Sequence, residues 1–122
     1  MIQLAHLDES IPYRQQLQGE EGPIVLINTF TAPDGKVDEV VEAWKWDAQY
    51  FQKQPGYISA QLHRGTAGSR VLVNVAVWES VAQLRAAFST EEFQKARSHY
   101  PDGSFSYPHI FQKVAVEGVC VA

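Results

Sequence analysis

The chain has 122 residues, of which 45% are hydrophobic and 20% charged, and its formal net charge is -4 at pH 7. This length and composition suit one globular domain that buries roughly two-thirds of its unfolded surface. Lysine and arginine occur singly, so the chain lacks the clustered positive charge that nucleic acids or anionic membranes attract, and no apolar run approaches the roughly 20 residues of a membrane span.

The N-terminal segment, residues 1–22, shows no clear helical or strand period. It contains Pro12, several glutamines and the sequence GEEG, and we interpret it as an arm that precedes the domain of residues 23–122. Its first ten residues lack the basic and apolar regions of a signal peptide, so we expect a cytoplasmic protein. The single cysteine, Cys120, cannot form an internal disulfide and is interpreted as a small hydrophobic side chain.

The domain opens with a strand and a helix. The segment PIVLINTFT (23–31) is rich in β-branched and large apolar residues, which predicts the strand. From Val37 to Phe51, apolar residues recur at the spacing of one helix face, which predicts an amphipathic helix that ends at QPG. Two further strands, YISAQLHR (57–64) and RVLVNVAVWE (70–79), are predicted on either side of a glycine-containing loop.

A second helical region and a last strand complete the domain. The apolar stripe of the region ends at Phe88, and Ser89 stands three residues before a glutamate, the spacing of a capping box. We therefore predict that the helix restarts at Ser89 and runs through His99, and that HIFQKVAV (109–116) is the last strand. The order β-α-β-β-α-β predicts an α+β fold, a ferredoxin-like plait with a four-stranded antiparallel sheet.

The first and third predicted strands are neighbours at the centre of such a sheet, so their alternating side chains form two shared faces. Asn28 and Asn74 fall on the same face, among mainly apolar residues. The opposite face carries Val25, Ile27, Thr29, Val71, Val73, Val75 and Val77. Two helices can cover only one face of the sheet, so we expect the valine face to be covered by a second copy, giving a homodimer built sheet to sheet.

The two asparagines favour a ligand site between the sheet and the helices. Such sites are mostly apolar with a few fixed polar groups, and Trp78 lies on the same face as Asn74. The alternative is that Asn28 and Asn74 each bond a nearby backbone group at a bulge, as buried amides usually do.

Trp46 and Tyr50 lie opposite the apolar stripe of the first helix. We expect the arm to fold over this pair through residues 11–13. The alternative is an exposed partner site.

Four segments of the chain resemble the antibiotic biosynthesis monooxygenase family: PIVLINTFTAPDGKVDEVVEAW, QPGYISAQLHRG, VLVNVAVWES and FSTEEFQKARSHY. The resemblance covers about residues 23–116. It implies the fold of the small dimeric α+β barrels, among which are cofactor-free quinol and anthrone oxygenases. The same superfamily also holds heme-degrading oxygenases and a sugar-phosphate isomerase, so the resemblance is more specific for fold than for substrate.

The pattern of the anthrone-oxidising members is matched in part. Their asparagine and tryptophan on the third strand correspond to Asn74 and Trp78. Their tyrosine six residues later is Leu84 here, and their arginine on the second helix has Arg97 within one position.

The pattern of the heme-degrading members fits less well. Their asparagine on the first strand matches Asn28, but Ala87 and Arg97 occupy the positions of their tryptophan and axial histidine. We therefore expect no heme, and no other metal or cofactor.

The resemblance implies a monooxygenase that oxidises a small phenolic, quinol or polyketide-like aromatic substrate with dioxygen. Asn74 would donate a hydrogen bond to a developing enolate or peroxide oxygen, and Trp78 would stack on the substrate. Of the four histidines, His99 is the best placed as a general base. The alternative is that the substrate's own acidity suffices and no base is needed. The candidate substrate-binding residues are Asn28, Phe30, Trp44, Leu72, Leu84, Phe88, Phe93 and Arg97.

Two other classes stay open on the sequence. One is an isomerase or another small-molecule enzyme on the same fold. The other is a ligand-binding or stress-response protein without turnover, which predicts that large side chains fill the space between the sheet and the helices.

Overall fold

The computed structural model describes residues 1–122 and places four helices against a mixed five-stranded sheet. None of its helices is long and apolar enough to cross a membrane. The strands are β1 (Gln3–Leu4), β2 (Ile24–Thr31), β3 (Tyr57–Arg64), β4 (Val71–Trp78) and β5 (Phe105–Phe111). The helices are α1 (Tyr13–Gln16), α2 (Val37–Phe51), α3 (Val81–Phe88) and α4 (Glu91–Arg97).

The sheet has the strand order β1-β5-β2-β4-β3. Its four long strands pair antiparallel with β2 and β4 as neighbours, which confirms the predicted central pair. The prediction of a four-stranded sheet lacks one strand. The N-terminal arm adds β1, which pairs in parallel with the start of β5. The arm is therefore part of the sheet.

The inward side chains of the sheet form two separate hydrophobic clusters. Leu26 and Ala76 belong to the first, which includes Tyr13 of the arm and residues of α3. Phe30 and Leu72 belong to the second, which includes residues of α2. Between these two cross-strand pairs lies one further pair on β2 and β4, and its members are polar.

The second helical region breaks one residue later than predicted. The Thr90 hydroxyl, and not that of Ser89, accepts the hydrogen bond from the backbone N–H of Phe93, at 3.2 Å. The Ser89 hydroxyl instead donates to the carbonyl of Arg85 at 2.7 Å, so it closes α3 and is not available to cap α4. Helix α4 then ends at Arg97, and the predicted extension through His99 is wrong.

The last strand begins and ends earlier than the predicted 109–116. It contains Pro108, which lacks a backbone N–H, but β1 pairs only as far as Ser106, so no strand ladder is needed on that side of the proline. Further along the same edge, the side-chain amide of Gln16 takes the place of a strand. It donates to the carbonyl of Ile110 and accepts from the Ile110 N–H, both at 2.9 Å.

The arm does not cover Trp46 and Tyr50, and that prediction is wrong. Tyr13 is 3% exposed and packs edge-on against Phe88 in the first cluster, because α1 lies against β5. Trp46 stays 60% exposed. The Tyr50 hydroxyl donates to the carbonyl of Ala87 at 2.6 Å, so this ring is directed toward α3 and α4.

The outer face of the sheet is mainly apolar and carries no helix. Its half-buried apolar side chains are Val25, Ile27, Val73, Val75 and Val77, and the polar side chains of Thr29, Tyr107 and His109 lie on the same face. Val71, Phe105 and Phe111 lie on the same face and are between 36% and 41% exposed. The C-terminal residues after β5 are exposed, including Cys120, and they leave this face open.

Candidate functional site

Asn28 and Asn74 are direct cross-strand partners on β2 and β4. Because their side chains point to the same face, the Cβ atoms of such a pair lie roughly 4.5–5.5 Å apart. The Oδ1 atom of each is buried and has no hydrogen-bond partner in the protein. The expected alternative, in which each amide bonds the backbone at a bulge, is therefore wrong, since the ladder is regular at this point.

A cavity of about 240 Å³ opens between the two hydrophobic clusters, with both asparagines in its wall. Of its 24 lining residues, 16 are hydrophobic, which is the usual composition of a small-molecule site. The hypothesis of a protein without turnover predicts that large side chains fill this space, and the structure has a cavity there instead. The predicted site residues that line the cavity are Asn28, Phe30, Trp44, Asn74, Trp78, Phe88, Phe93 and Arg97.

Three predicted site residues lie elsewhere. Leu72 and Leu84 are fully buried, one in each hydrophobic cluster, so they support the wall without lining the cavity. His99 is exposed beyond the end of α4, where its ring lies 6.1 Å from that of Trp46. The structure therefore does not place His99 where a general base for the cavity is needed.

Trp78 is 2% exposed and is held between two aromatic rings at one end of the cavity. The rings of Phe51 and Tyr57 meet it nearly at right angles, with centroids 5.9 and 5.7 Å away. Phe51 also contacts Phe88 and Phe93, whose centroids are 4.3 Å apart. These contacts make a rigid aromatic wall, because each ring is fixed by its neighbours.

Asp47 is a lining residue that the sequence analysis did not select. Its Oδ2 accepts a hydrogen bond from the Tyr100 hydroxyl at 2.5 Å, while its Oδ1 is buried without a partner. Burial raises the pKa of this carboxyl to about 6, and the hydrogen bond from Tyr100 opposes part of that rise. The signal was present in the sequence: Asp47 falls three residues after Trp44 and seven after Val40, on the apolar stripe of α2.

Buried polar atoms without a protein partner are concentrated in this one cavity. The protein has five such side-chain atoms, and four belong to lining residues: the hydroxyl oxygen of Tyr13 and the Oδ1 atoms of Asn28, Asp47 and Asn74. Leaving such a group unpaired costs roughly 1–3 kcal/mol. Their collection around an apolar space indicates a ligand that carries its own polar atoms.

The remaining polar lining includes two cations. Arg97 of α4 donates to the carbonyl of Ile2 at 3.3 Å, which ties α4 to the arm, and Arg14 of α1 is exposed. No group of three or more His, Cys, Asp or Glu side chains is arranged to hold a metal ion.

Residues 23–98 match the sequence profile of the family "antibiotic biosynthesis monooxygenase". This chain belongs to that family. The matched segment contains Asn28, Asp47, Asn74 and Trp78, so most of the cavity wall is built from family sequence. No curated protein matches the chain at a significant level.

Solved structures of the same fold include oxygenases. The chain is similar to SnoaB, a cofactor-independent oxygenase from Streptomyces nogalater, with 23% identity and a TM-score of 0.72 over 80% of this chain and 99% of SnoaB. An inferred monooxygenase from Shewanella loihica is 32% identical, with a TM-score of 0.63 over 80% of this chain and 100% of the other. An inferred antibiotic biosynthesis monooxygenase from Bordetella bronchiseptica is 20% identical, with a TM-score of 0.68 over 78% and 100%.

Proposed function

We propose that this protein is a cofactor-independent monooxygenase that oxidises a small phenolic, quinol or polyketide-like aromatic substrate with dioxygen. The observation that carries the proposal is the set of four unpartnered polar atoms around one apolar cavity. Family membership and the likeness to SnoaB support the type of reaction.

The size and lining of the cavity suit a small aromatic molecule with oxygen substituents. Its volume, about 240 Å³, is just below the roughly 300–1,000 Å³ of typical ligand pockets, so the substrate is small. The aromatic wall around Trp78 contacts the rings, and the asparagine pair faces the substituent oxygens.

A substrate that reacts with dioxygen without a cofactor must first become an electron-rich anion. Asn28 and Asn74 form a pair of amides whose Oδ1 atoms are buried, and a hydrogen bond to a developing oxyanion is stronger at such a place than in solution. Rotation of either amide about its Cβ–Cγ bond exchanges its oxygen and its NH2 group. The pair can thus donate to the enolate or peroxide oxygen of the reacting molecule.

The proposal includes a homodimer formed through the outer face of the sheet. That face is mainly apolar on β2 and β4, and the helices pack on the opposite side of the sheet. A second copy of the same face buries these side chains symmetrically.

Oxygen consumption by the purified, chelator-treated protein tests the activity, with a panel of hydroquinones and anthrones as substrates. We expect uptake above the uncatalysed rate, and a large loss of it in Asn74→Ala and in Trp78→Phe. Trp46→Phe is the matched control, because Trp46 is exposed and outside the cavity. No uptake with any member of the panel contradicts the proposal, and so does equal uptake by the wild-type protein and Asn74→Ala.

A further inference from the structure

The cavity contains one group that can accept a proton at neutral pH. Its titratable lining residues are Tyr13, Arg14, Asp47, Tyr57, Arg97 and Tyr100. Arginine stays protonated in proteins, and burial raises the pKa of all three tyrosines above the usual value, so none of these five is a base. All four histidines lie outside the cavity lining. Asp47 is left as the sole candidate.

The geometry of Asp47 divides its carboxyl into two functions. Oδ2 is fixed by the Tyr100 hydroxyl at 2.5 Å, and the Tyr100 ring is itself stacked on Phe30, with centroids 6.0 Å apart and planes inclined by 11°. Oδ1 is buried and unbonded in the cavity wall. One oxygen is therefore anchored by Tyr100, while the other has no hydrogen-bond partner within the protein.

We propose that Asp47 is the general base that removes the substrate's acidic proton, and that Tyr100 is the residue that positions it. This inference rests on the proposed function and adds the base that the family's amide and tryptophan do not supply.

The reaction balances with Asp47 returned to its starting form. A C–H proton of the substrate's CH2 group passes to Oδ1, which leaves an enolate with electron density on the reacting carbon. That carbon forms a bond to dioxygen, and the outer oxygen of the resulting peroxide takes the proton from Asp47. Asp47 then removes the remaining C–H proton while the O–O bond breaks, and the released hydroxide takes that proton and leaves as water. In sum, a CH2 group and dioxygen become a carbonyl group and water.

Tyr100 both positions the carboxyl of Asp47 and lowers its pKa. Its hydrogen bond favours the charged carboxylate and so lowers the pKa of Asp47 against the effect of burial. Replacement by phenylalanine removes this hydrogen bond and keeps the ring that packs on Phe30. In Tyr100→Phe, the pKa of Asp47 therefore moves upward from about 6. A residue that only filled space would not shift a pH profile in this way.

The first test is the pH profile of oxygen uptake with anthrone. We expect the wild-type rate to rise with pH through about 6 and then level off. Asp47→Asn should lower the plateau rate by about 10²-fold or more and remove the rise of the rate with pH. Tyr100→Phe should keep this rise but shift it to a higher pH. Asp47→Asn with a rate within a few-fold of the wild type and an unchanged rise with pH would overturn the proposal.

The second test separates the base from the oxygenase. Anthrone is incubated with the protein in D2O under nitrogen, and exchange of its acidic C–H hydrogens is followed by NMR. Exchange that the wild type accelerates and Asp47→Asn does not supports the base, even if the wild type takes up no oxygen and the oxygenase proposal fails. Oxygen uptake and exchange that both survive in Asp47→Asn overturn the base alone. A wild type with neither activity overturns both proposals.

Discussion

The hydroxyl of Tyr100 donates a hydrogen bond to Oδ2 of Asp47 and joins the loop after α4 to the middle of α2. Both groups are buried at the cavity wall, so an ionised carboxylate has little solvent around it. Keeping the ionised Asp47 carboxylate in the cavity wall therefore lowers the folding stability of the protein.

The stability of the protein should therefore depend on the ionisation of Asp47. Its pKa rises from 3.8 to about 6 on folding, so the folded state holds the proton more tightly. This group's contribution is full below pH 3.8, decreases between pH 3.8 and about 6, and is lost above. At pH 7 the ionised group costs up to about 3 kcal/mol, and Asp47→Asn should recover much of it. Urea unfolding of the variant and the wild type at several pH values measures the difference. A difference that does not grow across this window contradicts the assignment.

Replacing the asparagine pair by leucine should stabilise the protein and abolish its activity. Asn28→Leu and Asn74→Leu each remove an unpartnered buried amide and lose no hydrogen bond within the protein. We expect a gain of roughly 1–3 kcal/mol for each variant in urea unfolding. Oxygen uptake should drop by about 10²-fold or more, since a donor to the oxyanion is lost. A loss of stability in both variants would mean that the amides serve the architecture.

The outer face of the sheet should hold two copies of the chain together. Val75→Asp places a charge at the centre of this face, and a buried charge without a partner is costly. We expect the variant to be monomeric by sedimentation velocity at concentrations where the wild type is a dimer. Gln49→Asp, an exposed change on α2, is the matched control and should stay dimeric. A wild type that is monomeric at high concentration would exclude this interface.

Gln16 should stabilise the edge of β5. Its amide makes two hydrogen bonds to the backbone of Ile110, and Gln16→Ala leaves that N–H and carbonyl without them. We expect a loss of roughly 1–3 kcal/mol in urea unfolding and faster exchange of the Ile110 amide hydrogen. The adjacent Gln15 is exposed and makes no side-chain bond, so Gln15→Ala should change neither quantity. Equal effects of the two changes would contradict this account.

The central part of the fold follows from strand periodicity. The alternation in β2 and β4 places Asn28 and Asn74 on one face, and their direct pairing follows once the two strands are neighbours. The last strand was mislocated because Pro108 reads as a loop residue. Only the structure shows that β1 stops short of it and that the Gln16 side chain, far away in sequence, completes the edge.

The cavity was predicted more completely in its apolar wall than in its chemistry. Trp78, Phe88 and Phe93 follow from helical and strand patterns, but Asp47 was passed over among the acidic residues of α2. Its position on the apolar stripe of α2 distinguishes it in the sequence, but its contact with Tyr100, which lies 53 residues away, cannot be deduced from local spacing. The sequence favours His99 for its predicted place near the end of the second helix, whereas α4 ends at Arg97 and the His99 side chain is exposed.

The N-terminal arm supplies part of the wall of the cavity. Ile2, Leu4, Tyr13, Arg14 and Leu17 line the cavity, yet all of them precede the segment that matches the family, residues 23–98. The asparagine pair, Trp78 and Asp47 come from the matched segment, whereas these five lining residues come from the arm outside it. A change in the arm alone would therefore alter the size and lining of the cavity while leaving Asn28, Asp47, Asn74 and Trp78 in place, so the molecule that fits can change without any change in these four residues.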